Sequence, residues 1–305
     1  MGNNFKPVRK AVLPVAGMGT RFLPATKAMA KEMLTVLDKP LIQYAVEEGL
    51  AAGIEEFIFI TGRGKAAIEN HFDRPYELCS SLEKKGKLKE LEMVQNIVPE
   101  HCRMIYTRQG DPLGLGHAVN CANHIVGDEP FAVILPDDII YDENTPSLKE
   151  MIETYNKTGK SVVLTQEVPE NRIKNYGILD TNGEKPDADG NIQVHGFVEK
   201  PNPEDAPSNM AVMGRYILTP SIFKHLEKGE IGAGGEIQLT DAMDKVLQEE
   251  GFYAHLFTGE RFDCGDKFGF QQANLFFALK DDYVGPRLQA YIEEISGKAS
   301  QMRAS

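Results

Sequence analysis

Residues 10–34 read KAVLPVAGMGTRFLPATKAMAKEML, and the reading of this stretch decides the fold. It opens with Ala11-Val12-Leu13-Pro14-Val15-Ala16, a short apolar run of the kind a buried parallel strand gives. Gly17-Met18-Gly19-Thr20-Arg21 follows at once. Its two glycines let the backbone turn sharply and bring N–H groups close to an anion with no Cβ in the way. Arg21, Lys27 and Lys31 then supply three cations within eleven positions. A strand end, a glycine turn and clustered cations together describe a phosphate site.

Two familiar phosphate motifs can be tested on these residues, and both fail. A P-loop sets four residues between its glycines and continues Gly-Lys-Ser/Thr, which this stretch lacks. A dinucleotide fingerprint needs a third glycine where Phe22 stands, and a helix opening directly after it. Pro24 and the polar Thr26-Lys27 point to an extended loop instead.

The bulk properties bound the partner. The chain has 305 residues, enough to bury a large α/β core, with 33 Lys and Arg against 45 Asp and Glu. The net charge of −12 argues against nucleic acid, whose phosphates would be repelled. An anionic small substrate would need a local positive pocket on this acidic molecule, and the loop at 21–31 is the densest candidate near glycines. No segment approaches the roughly eighteen apolar residues of a membrane span. Cys79, Cys102, Cys121 and Cys264 form no close pair, so neither a zinc site nor a disulfide framework is indicated. The expectation is a soluble, cytoplasmic protein with no membrane partner.

Outward from the first loop, strands and helices alternate. Pro40 and the apolar face of Leu41, Tyr44, Ala45 and Leu50 predict a helix that Gly53 stops, and EFIFI at 56–60 predicts the next strand. Helical patterns are expected at 65–72, 76–85, 114–126, 147–156, 221–227, 237–249, 268–280 and 287–295, with strands at 103–107, 131–135, 161–168 and 253–257. Between 176 and 216, glycines, prolines and Asp189-Gly190 punctuate short β-like segments, which suggests antiparallel additions beside the main sheet. The whole predicts an α/β fold, a Rossmann-like, mostly parallel, mixed sheet flanked by helices.

With Gly17-Met18-Gly19-Thr20-Arg21, Leu23-Pro24-Ala25-Thr26-Lys27 and Lys31-Glu32-Met33-Leu34 in this order, the chain resembles the sugar-nucleotide pyrophosphorylases. Within that superfamily it is most similar to the bacterial UTP–glucose-1-phosphate uridylyltransferases. Pro136-Asp137-Asp138, Val198-Glu199-Lys200-Pro201, the run at 236–241 (EIQLTD) and Asp263-Cys264-Gly265 extend the resemblance from Lys10 to about Ala278. One departure is Ala30, where relatives commonly carry proline; it removes no charge. The resemblance implies a nucleotide-diphospho-sugar transferase fold in one domain over 1–305. Its nucleotide-binding part would span about 8–170, its sugar-binding part about 171–265 and its C-terminal helices about 266–297, ahead of a frayed tail at 298–305. The implied activity makes UDP-glucose and pyrophosphate from UTP and glucose 1-phosphate with Mg²⁺, in a homodimer or homotetramer.

It also implies roles for particular residues. Arg21 and Lys31 would neutralise the triphosphate, with Ala16, Gly17, Gly19 and Thr20 beneath the nucleotide; the role of Lys27 stays open. Asp137 and Asp263 would hold the metal, and hard oxygen ligands suit Mg²⁺ rather than zinc. Asp138 is expected to point elsewhere, and Cys264 to be a buried thiol. Gln109, whose amide can match both the acceptors and the donor of uracil, would read the base with the Gly116 backbone and Glu32. Turn chemistry at a helix start is the plain alternative for Gly114 and Gly116, and His117 is expected to be structural. Glu199 would accept from sugar hydroxyls, and Lys200 would meet the sugar's phosphate and act in catalysis, beside Gly177 and Gly214. Thr240 and Asp241 are expected to cap and pack a helix. Two rivals stand beside this reading: the same chemistry with dTTP, and a catalytically dead nucleotide sensor, which would lose signature cations or the metal Asp that this chain keeps.

Overall fold

The computed structural model describes residues 5–143 and 145–304. Among these, ten strands form one mixed sheet. The strand Lys10–Pro14 lies parallel between Phe131–Ile134 and Glu56–Thr61, and Arg103–Arg108 pairs parallel with the latter. On the other side, Met210–Leu218 runs antiparallel between Phe131–Ile134 and Ser161–Glu167. Phe252–Leu256 and Asn191–Val194 complete that edge. Gly177–Asp180 and Gly196–Glu199 form a short antiparallel pair that joins the sheet through Met210–Leu218.

The continuous apolar run at 57–60 follows from burial on both faces, as in parallel sheets packed by helices on each side. Leu13, Phe57 and Phe59 enter one core cluster with Ile42, Ala45 and Val46 of the helix Leu41–Ala51. Val12, Ile58 and Ile60 enter the other with Ala118 and Val119 of the helix Leu115–Asn120. Leu13, Phe57 and Phe59 are fully enclosed, and burial of such a side chain stabilises by about 1.5–3 kcal/mol.

A third, smaller cluster determines the site. Leu34, Val36 and Leu41 pack with Ile139, Phe262, Cys264 and Ala273. It draws together the end of the first loop, the antiparallel pair of Asp138–Tyr141 with Glu260–Asp263, and the helix Lys267–Lys280. Phe22, which stands where a dinucleotide fingerprint would have glycine, packs edge-on against Phe270 of that helix at 5.5 Å between ring centroids.

Several boundaries differ from expectation. The helix expected over 114–126 is two, Leu115–Asn120 and Asn123–Val126. The helix Leu88–Gln95, which buries none of its residues, is not among the expected elements. The last helix runs Gly285–Ala304, through the stretch expected to fray, and Ser305 lies outside the described residues. No helix among the described residues is long and apolar enough to cross a membrane.

Candidate active site

The first loop is a series of 3₁₀ turns, Thr20–Phe22, Ala25–Lys27 and Lys31–Met33, at the carboxyl end of Lys10–Pro14. Gly19 takes φ 66°, and a Cβ there would lie 2.9 Å from Lys31 Cβ. Both the backbone and the space therefore demand glycine. A Cβ on Gly17 would lie 3.8 Å from Lys31 Cε, so the Lys31 side chain runs along both glycines. The Thr26 hydroxyl donates to Gly19 O at 2.7 Å and closes the loop. Arg21, Thr20 and Lys27 are exposed, and Ala16 is half-buried at the loop's entry.

Lys31 reaches from this loop to the turn after Phe131–Ile134, where Nζ meets Asp137 Oδ2 at 2.6 Å. Asp263 arrives from the opposite direction. Cys264 N–H donates to Asp137 O at 2.7 Å, Gly265 N–H donates to Asp263 Oδ1 at 3.1 Å, and Arg21 donates from Nη1 to Gly265 O at 3.4 Å. A Cβ on Gly265 would stand 3.1 Å from both Asp137 Oδ2 and Asp263 Oδ1, and 3.6 Å from Arg21 Nη1. Two carboxylates and a guanidinium thus face one gap that only glycine leaves open. Asp263 does not cap the following helix; Asp266 does, accepting from Phe268 N and Gly269 N.

The charges respond to one another. Burial alone would raise the Asp137 carboxyl, but Lys31 and Arg21 outweigh it and hold it below the usual carboxylate range. Burial would lower the Lys31 ammonium, and Asp137 with Glu32 more than offsets this. Asp138 does point elsewhere. It is buried, its Oδ1 accepts from Arg261 Nη2 at 2.5 Å and its Oδ2 from Gly214 N–H at 3.1 Å. Burial pushes its carboxyl up against the pull of Arg261. That placement also accounts for Gly214, where the register of Met210–Leu218 shifts and frees an N–H; a Cβ there would strike Asp138 Oδ2 at 2.7 Å.

Glu32 lies beneath the loop. Its Oε2 accepts from Lys65 Nζ at 2.7 Å, and Lys65 also donates to Gly17 O at 2.7 Å. Both side chains are enclosed, at 6% exposure for Lys65 and 0% for Glu32. Burial raises the Glu32 carboxyl despite Lys65. Sequence reasoning missed Lys65, although Gly62-Arg63-Gly64-Lys65 repeats the first loop's signal of glycines and cations after a strand.

At the same carboxyl edge, Gln109 follows Arg103–Arg108 and is half-buried, its N–H donating to Thr61 O. Its Nε2 donates to Gly114 O at 3.0 Å and lies 3.1 Å from His117 Nδ1, which gives His117 a positional part. The Gly116 N–H is already donated to Ile237 O at 2.9 Å, so that donor is not free for a base. A Cβ there would stand 2.7 Å from the same carbonyl, which makes close approach of the segment at 237–238 the physical reason for glycine.

Glu199 and Gly177 are directly opposite in the antiparallel pair. Glu199 Oε1 meets Lys200 Nζ at 3.0 Å, and Oε2 accepts from the Thr240 hydroxyl at 2.9 Å. Thr240, expected only to cap and pack, therefore holds the carboxylate of this pair. Between this pair and Asp137 lie Tyr176, whose O accepts the Lys200 N–H, and Arg261, which donates to the Tyr176 hydroxyl and to Asp138.

Among the described residues, no cluster of three or more His, Cys, Asp or Glu side chains is arranged to hold a metal by itself. The pair Asp137 and Asp263 fits Mg²⁺ nonetheless. That ion commonly takes one or two carboxylates and completes its shell with water and substrate phosphate, and the open space beside Gly265 leaves room for it.

The model of a family described as nucleotidyl transferase matches residues 10–279. The UTP–glucose-1-phosphate uridylyltransferase of Bacillus subtilis is 49% identical over 299 residues, covering 96% of this chain and 99% of its own. A UTP-bound UGPase from Acinetobacter baumannii superposes with a TM-score of 0.88 at 43% identity, over 94% of this chain and 99% of that one. A UDP-glucose pyrophosphorylase complexed with UDP-glucose superposes with a TM-score of 0.81 at 42% identity, over 90% of this chain and 100% of that one.

Proposed function

The chain belongs to the nucleotidyl transferase family, and from that premise we propose that it joins UTP to glucose 1-phosphate, giving UDP-glucose and pyrophosphate. The observation that carries the reading is the meeting of Arg21, Lys31, Asp137 and Asp263 around Gly265, at the carboxyl edge of the parallel strands. Ligands of open α/β sheets bind in the crevice at that edge. An acidic protein thereby brings two cations, Arg21 and Lys31, to the point where two mutually repelling anions would meet.

A phosphate oxygen of glucose 1-phosphate attacks the α-phosphorus of UTP in line, and the bond to the leaving pyrophosphate breaks. No covalent enzyme intermediate is needed, so the protein's work is positioning and charge stabilisation. The Gly17–Thr20 backbone and Arg21 receive the triphosphate, and Lys31 stabilises charge as it moves onto the leaving group. Asp137 and Asp263 would hold Mg²⁺, which would supply Lewis-acid stabilisation of phosphate charge. When phosphates enter, Lys31 exchanges part of its bond with Asp137 for one to substrate.

Gln109 reads the uracil edge. Glu32, locked to Lys65, supports the loop from beneath, and the Gly116 segment shapes the base pocket. Glu199, steadied by Thr240, accepts from sugar hydroxyls; Lys200 takes the sugar's phosphate beside Gly177, and Gly214 acts through Asp138, which takes its N–H.

The same reading divides the chain into a nucleotide-binding part at about 8–170, a sugar-binding part at about 171–265 and helices beyond. It places the enzyme in the cytoplasm as a homodimer or homotetramer. Exposed Phe268, Leu275, Tyr291 and Ile295 on the last two helices, with Tyr283 in the turn between them, support such a contact, because an apolar surface of this kind marks interfaces. One assay tests the function: pyrophosphate release with Mg²⁺, UTP or dTTP, and a panel of sugar phosphates. Release is expected with UTP and glucose 1-phosphate. A preference for dTTP, or no release from any pair, would overturn the reading.

A further inference from the structure

Between the carboxylates beside Gly265 and the Glu199–Lys200 pair lies a joint that none of these roles uses. Arg261, on the strand Glu260–Asp263, donates from Nη2 to Asp138 Oδ1 at 2.5 Å and from Nη1 to the Tyr176 hydroxyl at 3.2 Å. Its guanidinium also lies over the Tyr176 ring, 5.2 Å from the centroid. Only 9% of the Arg261 side chain and 10% of that of Asp138 are exposed. Backbone continues the joint at both ends. Asp138 is adjacent to Asp137 and pairs across the strands with Asp263. Tyr176 O accepts the N–H of Lys200 at 3.1 Å, and Lys200 itself is held at φ 45°. Arg172 donates to the same Tyr176 hydroxyl at 3.0 Å.

Stability alone does not explain so deep an ion pair, since apolar residues of similar volume would avoid the desolvation cost. The guanidinium is not even satisfied, because its buried Nε has no partner. An apolar pair cannot supply direction. A planar guanidinium holds two acceptors at a fixed angle, which lysine or a hydrocarbon cannot do. Here one acceptor belongs to the segment carrying the metal acids, and the other to the segment that sets the backbone of Lys200.

We infer that Arg261 and Tyr176 are positioning residues that fix the sugar-phosphate end of the crevice relative to Asp137 and Asp263, so that the attacking oxygen lines up on the α-phosphorus. They act through Asp138 and Lys200. The inference rests on the sugar-reading role proposed for Glu199 and Lys200.

The test is steady-state kinetics on the full chain, varying UTP and glucose 1-phosphate separately, for Y176F, R261K and the double variant. Y176F removes one hydroxyl and keeps the ring. R261K keeps a charge beside Asp138 but cannot bridge both acceptors. Each is expected to raise KM for glucose 1-phosphate by about tenfold, the scale of one lost charge-assisted hydrogen bond, and to leave KM for UTP within about twofold. The double variant should be clearly less than additive, because both changes remove the bond from Arg261 to the Tyr176 hydroxyl, while only Y176F also removes the one from Arg172. Unchanged sugar-phosphate KM, equal increases for both substrates, or full additivity would each overturn the inference. If R261K loses its cooperative melting transition, Y176F alone decides by the same criteria. A wild-type chain that released no pyrophosphate would overturn the functional reading and this one together, whereas an active wild type with unaltered variants overturns this one alone.

Discussion

Replacing Lys31 with alanine sets two opposed effects against each other, and the structure decides which is larger. The side chain removed runs along Gly17 and Gly19 and ends 2.6 Å from Asp137 Oδ2. Its loss deprives the developing charge on the leaving pyrophosphate of a preorganised donor, an effect on the order of 10²–10³ in kcat. Its loss also releases Asp137, which strengthens that carboxylate as a metal ligand. The second effect is bounded by the strength of the ion pair. With 22% of Lys31 and 29% of Asp137 side-chain area exposed, the pair sits near the upper end for accessible pairs, about 1 kcal/mol. That corresponds to about fivefold in an equilibrium constant, far short of the catalytic loss. K31A should therefore lower kcat by about 10²–10³ while Mg²⁺ half-saturates it at an equal or lower concentration. The assay is pyrophosphate release at saturating UTP and glucose 1-phosphate, with Mg²⁺ titrated. A loss in kcat below about threefold would remove Lys31 from the mechanism, because no preorganised donor contributes so little.

The same pair predicts how stability responds to acid. The folded-state pKa of Asp137 lies below its unfolded value, so its contribution is present above the ordinary carboxylate pKa and disappears as pH falls through the folded value. Urea melts of wild type and K31A should differ at neutral pH and converge in acid; a gap that widens as pH falls would refute the assignment. Gly265→Ala should keep the fold but place a methyl 3.1 Å from both carboxylate oxygens, raising the Mg²⁺ half-saturation by about tenfold or more, read by titration of activity and of melting temperature. Thr240→Val deletes the hydroxyl that steadies Glu199 and should raise KM for glucose 1-phosphate by about three- to tenfold with UTP little affected, measured by the same kinetics.

Much of the fold was legible because its signals are local. The apolar stretches 11–13, 57–60 and 131–134 lie in strands buried on both faces, and the glycine turn after the first of them forms where a strand must give way to a loop. What escaped reading was either unburied or long-range. The helix Leu88–Gln95 packs nothing into the core, and the pairing of Asp138–Tyr141 with Glu260–Asp263 joins segments more than a hundred residues apart.

The site divides along the same line. Arg21, Lys31, Asp137 and Asp263 could be chosen from their motifs, but sequence spacing has no means of stating that all four converge on the gap left by Gly265. Residues that act by holding others were invisible for a stronger reason. Lys65, Arg261 and Thr240 bond to carboxylates of the chain itself, and a lone lysine, arginine or threonine in a sequence is ordinarily a solvated surface group. Their roles appear only when burial is known. Lys65 and Arg261, with 6% and 9% of their side chains exposed, cannot be solvated charges, so each must be answered by a carboxylate. In both cases that carboxylate, Glu32 or Asp138, is chain neighbour to a residue of the proposed mechanism, Lys31 or Asp137. The adjacent acid is thus an anchor: it fixes the backbone beside a reactive side chain to a buried cation, and leaves the reactive group itself free to face the crevice.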